Sequence, residues 1–593
     1  MSFWNQKKTL WFLLALIVGL GFFLRTVHFG EYLHFELDQA RDARIIDDGL
    51  RGDFFDLPLL GPRAGGTYLR LPPAFYYLEF LSAKMFGPHP VGMAFFVALL
   101  STASIPIFFF FVRRFFGRNF SLGLTSLFAV STFLVLYGRF AWNPNPLPFF
   151  LLLGFFSLLK AVDSSETRPG RWLLLSAFML SIATELHFLA FVAVPAIVFF
   201  FLLWKRPRFS WRAWLGVVGL VTLLYMPMVL NERETGGRNT QEFFKAVSGK
   251  SGKGDHPIVN KLIKNVLEQA NGYVVLVSGY ERSELPTFKT EPILNIICDE
   301  SCRIGMRTGL FSLALSGLGL FFLVWRIKTT PAGDRKDFLV LNLLWLFFVF
   351  GVLTPIAFSY SPRFFLLVAP LPFVLLGLVG HALYHGFRES RWAGYFLLAL
   401  CLGLVGCNLF FLNGRFSALA KAATEPVQVE GADRILKDKS RVTLGQQNRI
   451  VDYMQKRSEE EGVPVYMFSE PEHRRALKYL LERRGIQNAV FGFDGIYREG
   501  VYFLIIRTDS NLENGTKKYR LKYDEIDRVQ FGTLTLFEFR PKEEFIGSER
   551  QDFSLVKPQN DDNIRGARYT WREWWTRQGA MREEDETLDE TLP

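Results

Sequence analysis

Cysteine and histidine are scarce in this sequence, which has four and eight of them among 593 residues. A dense disulfide framework or a Cys/His zinc cluster is therefore not expected. There is also no phosphate-binding loop of the G-x-x-x-x-G-K-[ST] form, no G-x-G-x-x-G after a strand and no H-E-x-x-H. No cofactor is implied by any motif, and a divalent metal stays open without support. Cys298 and Cys302 lie four residues apart, a spacing that is compatible with a disulfide and with two free thiols.

The sequence is instead rich in long apolar segments. Half of its residues are hydrophobic, and 62 are phenylalanine. About eleven segments are long enough to cross roughly 30 Å of hydrocarbon. The predicted spans are 10–24, 91–112, 122–136, 147–162, 172–186, 188–204, 214–230, 310–325, 339–357, 364–383 and 395–412. The region 172–204 is also compatible with one tilted helix, so we expect a polytopic α-helical membrane protein with about eleven spans.

Basic residues in the connecting loops predict the orientation. Placing Lys7 and Lys8 in the cytoplasm puts the arginine-rich and lysine-rich loops on the same side, and an odd number of spans then places the polar tail outside. This bias accounts for the net charge of +11, so no nucleic-acid partner is implied. No small-residue cleavage site follows the first span, which favours a retained anchor. The expected location is the cell (cytoplasmic or inner) membrane, with an extracytoplasmic C-terminal domain.

Three outward parts stand apart from the transmembrane region 1–412. The first outer loop, 26–90, predicts an amphipathic helix at 37–50 and an apolar helix in "AFYYLEFLSAKMF". The long outer loop, 231–305, is polar and shows no strong periodicity. The tail, 413–580, predicts a small α/β domain, and 581–593 an acidic, disordered end.

Local signals place the elements of the tail. Thr443 begins a capping-box pattern for a helix that ends at Gly462, and Ser469 and Gly485 bound a second helix in the same way. "VPVYMF" between these helices predicts a strand. "TLTLFEF", at 533–539, alternates as a half-buried strand does.

The first candidate site residues are charged and follow the first span directly. In a helix, Asp38, Arg41 and Asp42 share one face, so two carboxylates and a guanidinium meet at the membrane boundary. The ordinary explanation is an interfacial helix with its polar side in water. A Pro/Gly-rich loop next to these charges, and further polar groups at other outward ends, favour a site instead.

Those further groups converge on one face of the predicted bundle. Each alone has an ordinary explanation, such as a snorkelling arginine or a tight turn, but ionisable groups at membrane depth are costly and tend to line a cavity. Arg70, Arg139 and Arg363 are candidates for a lipid-phosphate head group, because guanidinium binds phosphate bidentately. An outward site without a nucleotide cradle needs a substrate activated on a lipid. The outward polar residues are Arg139, Asn143, Asn145, Glu185, His187, Tyr360 and Arg363.

Over about residues 10 to 412 the chain resembles the GT-C fold, lipid-carrier-dependent glycosyltransferases, which include protein O-mannosyltransferases and lipid A aminoarabinose transferases. The resemblance rests on the Asp-x-x-Arg of Asp38 and Arg41, then on "PPAFYY", "RFAWNPNPLPF", "ELHF" and "SPRFFLLVAPLP" in this order. It implies a GT-C-like fold and a polyprenyl-phosphate-linked sugar donor. It also implies a membrane-lipid setting and an acceptor that is a glycan, a lipid or a protein of the cell envelope.

The resemblance also implies roles for particular residues. Asp38 is the catalytic base of an inverting single displacement and Arg41 the arginine of the motif, while Asp42 orients Arg41. Gln39 stands where many relatives have a second acid, and Leu71 where some have a lysine, which weakens paired-acid and metal schemes. The expected substrate-binding and phosphate-binding residues are Arg70, Tyr76, Arg139, Asn143, Asn145, His187, Tyr360 and Arg363.

Two other functions compete with the enzyme. A transporter or flippase of a lipid-linked saccharide also has an outward site, but its charges usually lie near the midplane between inverted repeats, which we do not find. A non-catalytic membrane scaffold would use the tail for binding. The substitution Asp38→Asn separates the readings, since only an enzyme depends on that carboxylate.

Overall fold

The computed structural model describes most of the chain. The described residues are 3–65, 67–248, 256–281, 287–289, 295–297, 300–387, 389–425, 435–436, 441–490, 495–508, 510–551, 553 and 568–576. The predicted disorder of 581–593 lies outside these residues, as does the pairing of Cys298 with Cys302.

The chain is mainly helical up to residue 422. The helices of this part are α1 (Phe3–Thr26), α2 (Leu37–Arg51), α3 (Ala74–Phe86), α4 (Pro90–Val112), α5 (Arg118–Val130), α6 (Thr132–Tyr137), α7 (Leu147–Ala161), α8 (Pro169–Leu186), α9 (Phe188–Lys205), α10 (Trp211–Glu234), α11 (Arg238–Ser248), α12 (Ile258–Ser278), α13 (Glu300–Thr329), α14 (Asp334–Leu353), α15 (Leu371–Gly386) and α16 (Arg391–Ala422). A small antiparallel pair, β1 (Thr287–Lys289) and β2 (Asn295–Ile297), precedes α13.

Every predicted span falls on helix, so the multi-pass character is confirmed. In the described part of the chain, seven helices are long and apolar enough to cross a membrane. An eighth is added if Pro362–Val368 and α15, which are bent by 59°, form one span. The other predicted spans fall on the shorter helices α5, α6 and α7 and on α8, so the number eleven stays a prediction.

Residues with extended or irregular backbone break the predicted span 122–136 and separate the predicted spans 172–186 and 188–204. At Ser131 the chain leaves α5 and re-enters helix in α6, while the Ser131 hydroxyl donates to the carbonyl of Leu276 at 2.6 Å. His187 is extended, with φ −155°, and separates α8 from α9. The region 172–204 is therefore two helices rather than one tilted helix.

The long outer loop contains more regular structure than its sequence predicts. It holds α11 and α12, and residues 269–277 of α12 are all buried. Asn265 donates to the carbonyl of Phe350 and to the hydroxyl of Thr354, each at 2.8 Å, which fixes α12 against the end of α14. The sequence of this loop shows no strong periodicity because the charged residues in the first half of α12 are followed by a continuous apolar second half. The loop is nevertheless largely helical in these two segments.

The tail folds into an α/β domain, as predicted. Its five-stranded sheet has the order β4-β3-β5-β7-β6, with β3 parallel to β4 and β5, and with β7 antiparallel to β5 and β6. The predicted boundary at 412 falls inside α16, which continues to Ala422. The elements are α17 (Leu444–Glu461), β3 (Val465–Ser469), α18 (Pro471–Arg483), β4 (Asn488–Val490), β5 (Val501–Arg507), α19 (Leu512–Arg520), β6 (Tyr523–Phe531), β7 (Leu534–Pro541) and, after undescribed residues, α20 (Trp571–Thr576).

The local predictions for the tail have mixed outcomes. The Thr443 hydroxyl accepts from the backbone N–H of Gln446, and Gly462 ends α17 with φ +68°, so that helix is confirmed. Ser469 is wrong as a helix cap, because it is the last residue of β3 and α18 follows Glu470. The strand at 533–539 exists, but it is not half-buried: β7 is an inner strand, and Leu534 to Phe539 are all buried.

This domain packs directly on the first outer loop. Helix α18 lies against α2, and the side-chain amide of Gln447 donates to the carbonyl of Phe35 at 2.7 Å. Arg483 Nη1 lies 3.2 Å from Asp47 Oδ1. The first outer loop is therefore held between the helical bundle and the α/β domain.

Candidate active site

Helix α2 brings the three charged residues together as predicted. The helix begins after Glu36, whose backbone N–H donates to Gln39 Oε1 at 3.1 Å. Gln39 thus supports the first turn at the position where the sequence lacks a second acid. One turn further on, Asp38, Arg41 and Asp42 are joined by ion pairs of 2.8 Å on a single face.

Asp38 lies at the edge of this cluster, partly open to solvent. Its Oδ1 accepts from Arg41 Nη1 at 2.8 Å, and its Oδ2 accepts from the indole Nε1 of Trp142 at 3.1 Å. The side chain keeps 37% of its surface exposed. Each carboxylate oxygen is therefore oriented by one donor and remains accessible, which is the geometry that a general base needs.

Asp42 lies deeper than Asp38 and is almost fully buried. Arg41 reaches its Oδ1 with both Nε and Nη2, each at 2.8 Å. Burial raises the pKa of Asp42 to about 6 against the opposing effect of Arg41. Although burial works against a charge on Arg41, Asp42 and Asp38 raise the pKa of that guanidinium well above its usual value. Arg41 is thus a permanent cation between two carboxyl groups.

Two buried side chains of α3 complete the inner part of the cluster. Tyr76 is fully buried, and its pKa is raised by burial and by Asp42, while Arg41 and two further arginines oppose the rise. Burial, and then the charge of Asp42, raises the pKa of Glu79 well above its usual range. Burial therefore favours the neutral form of Glu79, which limits the negative charge beside Asp42.

On the other side of Trp142 lies Arg363, from the turn before α15. Its guanidinium carbon is 4.7 Å from the centre of the indole ring, a cation–π contact. Among the described residues no hydrogen-bond or ion-pair partner is found for this guanidinium. A Cβ on Gly65 would come within 2.9 Å of Arg363 Nη2, so glycine there leaves room for the arginine. Asp38 and Arg363 therefore flank one indole and present opposite charges.

His187 approaches the same region from the break between α8 and α9. Its ring lies 5.8 Å from that of Phe364, next to Arg363 in the chain, while its Nδ1 accepts from the N–H of Leu189 at 3.2 Å. His187 is thus oriented as a cap of α9 near the candidate phosphate ligand.

Several other predicted site residues are held by the fold. Arg139 donates to the carbonyls of Leu24 and Val27, at 2.9 and 2.6 Å, and so satisfies the end of α1. Asn143 donates to the carbonyl of Leu186, and Asn145 to that of Phe140, both at 2.8 Å. These contacts shape the outer ends of the helices, and a contact of the three side chains with substrate stays a prediction.

Arg70 and Tyr360 have different surroundings. The backbone of Arg70 is paired with the side chain of Asn239, at 2.7 and 3.0 Å, and the buried guanidinium is near enough to affect Tyr76. The Tyr360 hydroxyl donates to Asn265 Oδ1 at 2.6 Å and so connects the Arg363 turn to α12. Arg70 therefore lies close to the cluster of Asp38, Arg41 and Asp42. Tyr360 instead contacts α12.

Three residues near the site were not predicted. Trp142 lies in the middle of "RFAWNPNPLPF", where its aromatic ring flanked by polar residues was a usable signal. Glu79 is the one acid of an apolar helix, a second usable signal. Arg568 comes from the far end of the chain and lies 5.7 Å from the centre of the Tyr76 ring; nothing local indicates that contact. In the described ranges no group of three or more His, Cys, Asp or Glu side chains is placed to hold a metal.

Comparison with known proteins links part of this chain to a family. Residues 70–230 match the family model described as dolichyl-phosphate-mannose-protein mannosyltransferase. A curated relative from Aquifex aeolicus (strain VF5), described as an uncharacterized protein, is 29% identical over 145 residues, or 24% of this chain. The aligned part spans only 29% of that relative's length.

Solved structures are similar over most of the chain at low identity. ArnT from Cupriavidus metallidurans, bound to undecaprenyl phosphate, is 12% identical and matches with a TM-score of 0.49 over 90% of this chain and 98% of its own. The archaeal oligosaccharyltransferase AglB from Archaeoglobus fulgidus, in complex with an inhibitory peptide and a dolichol-phosphate, is also 12% identical. It matches with a TM-score of 0.49 over 92% of this chain and 75% of its own.

The family match falls on the segment that carries "PPAFYY", "RFAWNPNPLPF" and "ELHF". The resemblance read from these motifs is therefore confirmed: this multi-pass, mainly helical membrane protein with a C-terminal sheet domain is similar to membrane glycosyltransferases that use polyprenyl-phosphate carriers.

Proposed function

We propose that this protein transfers a sugar from a polyprenyl-phosphate donor to an acceptor hydroxyl at the outer face of the membrane, with Asp38 as the general base. One observation carries the proposal. The accessible Asp38 carboxylate and the Arg363 guanidinium both contact Trp142: the indole N–H donates to Asp38, and the guanidinium lies over the ring. A base and an anion-binding cation are thus held next to each other at the end of apolar helices.

The reaction is a single displacement at the anomeric carbon. Asp38 takes the proton of the acceptor hydroxyl while its oxygen forms the new bond to the anomeric carbon. The bond from that carbon to the phosphate oxygen breaks, and polyprenyl phosphate leaves with the bonding electron pair. The configuration inverts, and positive charge develops on the sugar ring as in other glycosyl transfers. A positioned base of this kind contributes about 10²–10⁴-fold to the rate.

The arginines divide the remaining work. Arg363 has donors to offer the departing phosphate, because its contacts in the described residues are with aromatic rings. Arg41 is already committed to Asp38 and Asp42, so it holds the base in place. Asp42 acts through Arg41 and does not touch the reacting atoms. Arg70, beside Tyr76, is the second candidate for phosphate.

The family match supports the donor class, since its description names a dolichyl-phosphate sugar. It begins at residue 70, so the role of Asp38 depends on the geometry of α2 and on the Asp-x-x-Arg resemblance. The loop charges support an orientation with the C-terminal domain outside the cytoplasmic membrane, and in that orientation the site faces lipid-linked sugars and envelope acceptors.

Asp38→Asn tests the proposal. The full-length protein, in membranes of cells lacking the natural chain, is given radiolabelled polyprenyl-phosphate mannose and a panel of other polyprenyl-phosphate hexoses and pentoses. Label is then counted in the lipid, glycan and protein fractions. We expect Asp38→Asn to reduce transfer by about 10²–10⁴-fold. The control is Asp48→Asn, an exposed acid of the same helix that should leave transfer unchanged.

Two results would contradict the proposal. If Asp38→Asn transfers sugar at the wild-type rate, Asp38 is not the general base. A wild-type protein that moves labelled donor across the membrane of sealed vesicles without breaking the sugar–phosphate bond, with Asp38→Asn doing the same, would make it a flippase.

A further inference from the structure

The C-terminal residues 568–576, called here the return segment, lie on the first outer loop. The backbone N–H of Leu59 donates to the carbonyl of Tyr569 at 2.8 Å, and that of Trp571 to the carbonyl of Leu57 at 3.2 Å. Pro58 and Thr570 are thereby paired as an antiparallel bridge. The return segment is attached by backbone bonds, which fix its register on residues 57–59.

Side chains anchor the return segment at three further points. The indole of Trp571 donates to the hydroxyl of Tyr77 at 2.8 Å, and this hydroxyl donates to the carbonyl of Pro58 at 3.1 Å. Arg572 Nη2 lies 3.0 Å from Asp53 Oδ1 and also contacts Asp56. The backbone N–H of Tyr569 donates to the buried Asn231 at the end of α10, at 2.9 Å. Anchors at Tyr569, Thr570, Trp571 and Arg572, directly after Arg568, therefore fix the segment on the loop.

The result of this anchoring is the position of Arg568. Its guanidinium lies over the ring of Tyr76, and it is near enough to Arg41 and Asp42 for their charges to act on it. Tyr76 is fully buried, so charges around it interact in a medium of low dielectric. Arg568 therefore adds a positive charge beside Tyr76, at the buried part of the cluster.

We propose that Arg568 is a positioning residue of this site, acting through Tyr76 and Asp42 on Arg41, and so on the base Asp38. This inference rests on the proposed function. The buried Asp42 carboxylate has to stay charged to hold Arg41, and a nearby cation favours that charge. Arg41 can then offer Nε and Nη2 to Asp42 and keep Nη1 for Asp38.

All charged and titratable groups that face Asp42 belong to this description. Asp38 and Arg41 come from α2, Tyr76 and Glu79 from α3, and Arg568 from the return segment. Asp38 disfavours the charge of Asp42, whereas Arg41 and Arg568 favour it. Removing Arg568 should therefore make Asp42 harder to ionise, and activity should require a higher pH.

The test compares Arg568→Gln, Arg568→Lys and the control Arg550→Gln, whose arginine is exposed elsewhere in the tail. The full-length proteins are assayed with the best radiolabelled polyprenyl-phosphate sugar of the panel between pH 5 and 9. We expect Arg568→Gln to move the midpoint of the acid limb, the low-pH side of the pH–kcat profile, upward from about pH 6 by about one unit. Such a shift lowers kcat about threefold at pH 6.5 and about tenfold at pH 5. Arg568→Lys should keep most of the activity, and Arg550→Gln all of it.

A second variant tests the anchor separately. Trp571→Phe keeps an aromatic ring but removes the donor to Tyr77, and it should shift the acid limb in the same direction by a smaller amount. In the double variant Arg568→Gln/Trp571→Phe the shift should not exceed that of Arg568→Gln alone, because the anchor acts through Arg568.

Three outcomes would overturn this inference. Arg568→Gln with wild-type kcat and an unchanged acid limb excludes a positioning role. If Arg568→Gln lowers the melting temperature but leaves the acid limb unchanged, the arginine has only a structural role. If Trp571→Phe shifts the acid limb further than Arg568→Gln does, the anchor does not act through the charge of Arg568. All of these can occur while Asp38→Asn is inactive, so the proposed function would stand; active Asp38→Asn would fail the function itself.

Discussion

Two buried aspartates of this molecule pair with arginine and have opposite properties. Asp163 follows α7 in a predicted cytoplasmic loop, and Asp42 lies in the first outer loop. Asp163 Oδ2 accepts from Arg114 at 2.8 Å, while Oδ1 accepts from the N–H and the hydroxyl of Ser165 at 2.9 and 2.6 Å. Although burial works in the other direction, the Ser165 and Arg114 bonds lower the pKa of Asp163 below its usual range.

Asp42 has the same type of partner but fewer donors. Both contacts from Arg41 go to Oδ1. Burial, with the like charge of Asp38, prevails over Arg41 and the neighbouring Tyr76, and the pKa of Asp42 rises to about 6. Donor number thus decides between a carboxylate that stabilises the fold at every physiological pH and one whose charge is adjustable.

Asp42→Asn is expected to have the largest effect of the variants that sharpen this comparison. Arg41 then loses its buried anion, and Asp38 is no longer held in position, so kcat at pH 8 should fall about 10²-fold. In the wild type, Asp42 is protonated below about pH 6, so activity should fall through an acid limb there. The variant should show low activity without that limb, which a pH series of initial rates measures. A variant that keeps the limb would assign it to another group.

Asp163→Asn should instead destabilise the protein without affecting the reaction. Loss of the ion pair with Arg114 should lower the free energy of unfolding by about 1–3 kcal/mol, with kcat unchanged within assay error. Because the folded pKa of Asp163 is depressed, its stabilising effect is fully present above the ordinary aspartate pKa of about 3.9 and is lost as the pH falls from there to the depressed folded pKa. The melting temperatures of variant and wild type should therefore differ at pH 7 and begin to converge only below about pH 4. If Asp163→Asn lowered kcat without changing stability, Asp163 would affect the reaction as Asp42 does, and the two aspartates would not differ in role.

Glu79→Gln should have the smallest effect. Burial raises the pKa of this acid well above its usual range and so favours its neutral form, which an amide of the same shape resembles. We expect kcat at pH 7 to change by less than about threefold, within the spread of a single weak hydrogen bond. A larger loss would mean that Glu79 carries a proton to or from Asp42 during turnover.

The sequence predicts local features of this molecule well. The spacing of Asp38, Arg41 and Asp42 places them on one face wherever the segment is helical, and α2 and α3 lie where the pattern predicts them. The turn signals at Thr443 and Gly462 bound α17 for the same reason: each acts on its own neighbours. Periodicity and capping are short-range effects, so one chain segment is enough to predict them.

Contacts between distant segments were not predictable in this way. The bond from Trp142 to Asp38 joins two loops that are 104 positions apart in the chain. The burial of α12 follows from its packing against α13, α15 and α16. The inner position of β7 is set by sheet order. Each depends on tertiary packing, which a single sequence pattern does not encode.

The return segment has a consequence for the order in which the protein is made. Trp571 contacts Tyr77 across 494 positions of the chain, so a ribosome will have completed nearly all the spans before this contact can form. Until then the nascent first outer loop lacks the bridge at Pro58 and the cation beside Tyr76. Since that cation is proposed to favour the charged form of Asp42, newly inserted chains should consume donor more slowly until the return segment reaches the loop, and full activity then coincides with completion of the chain.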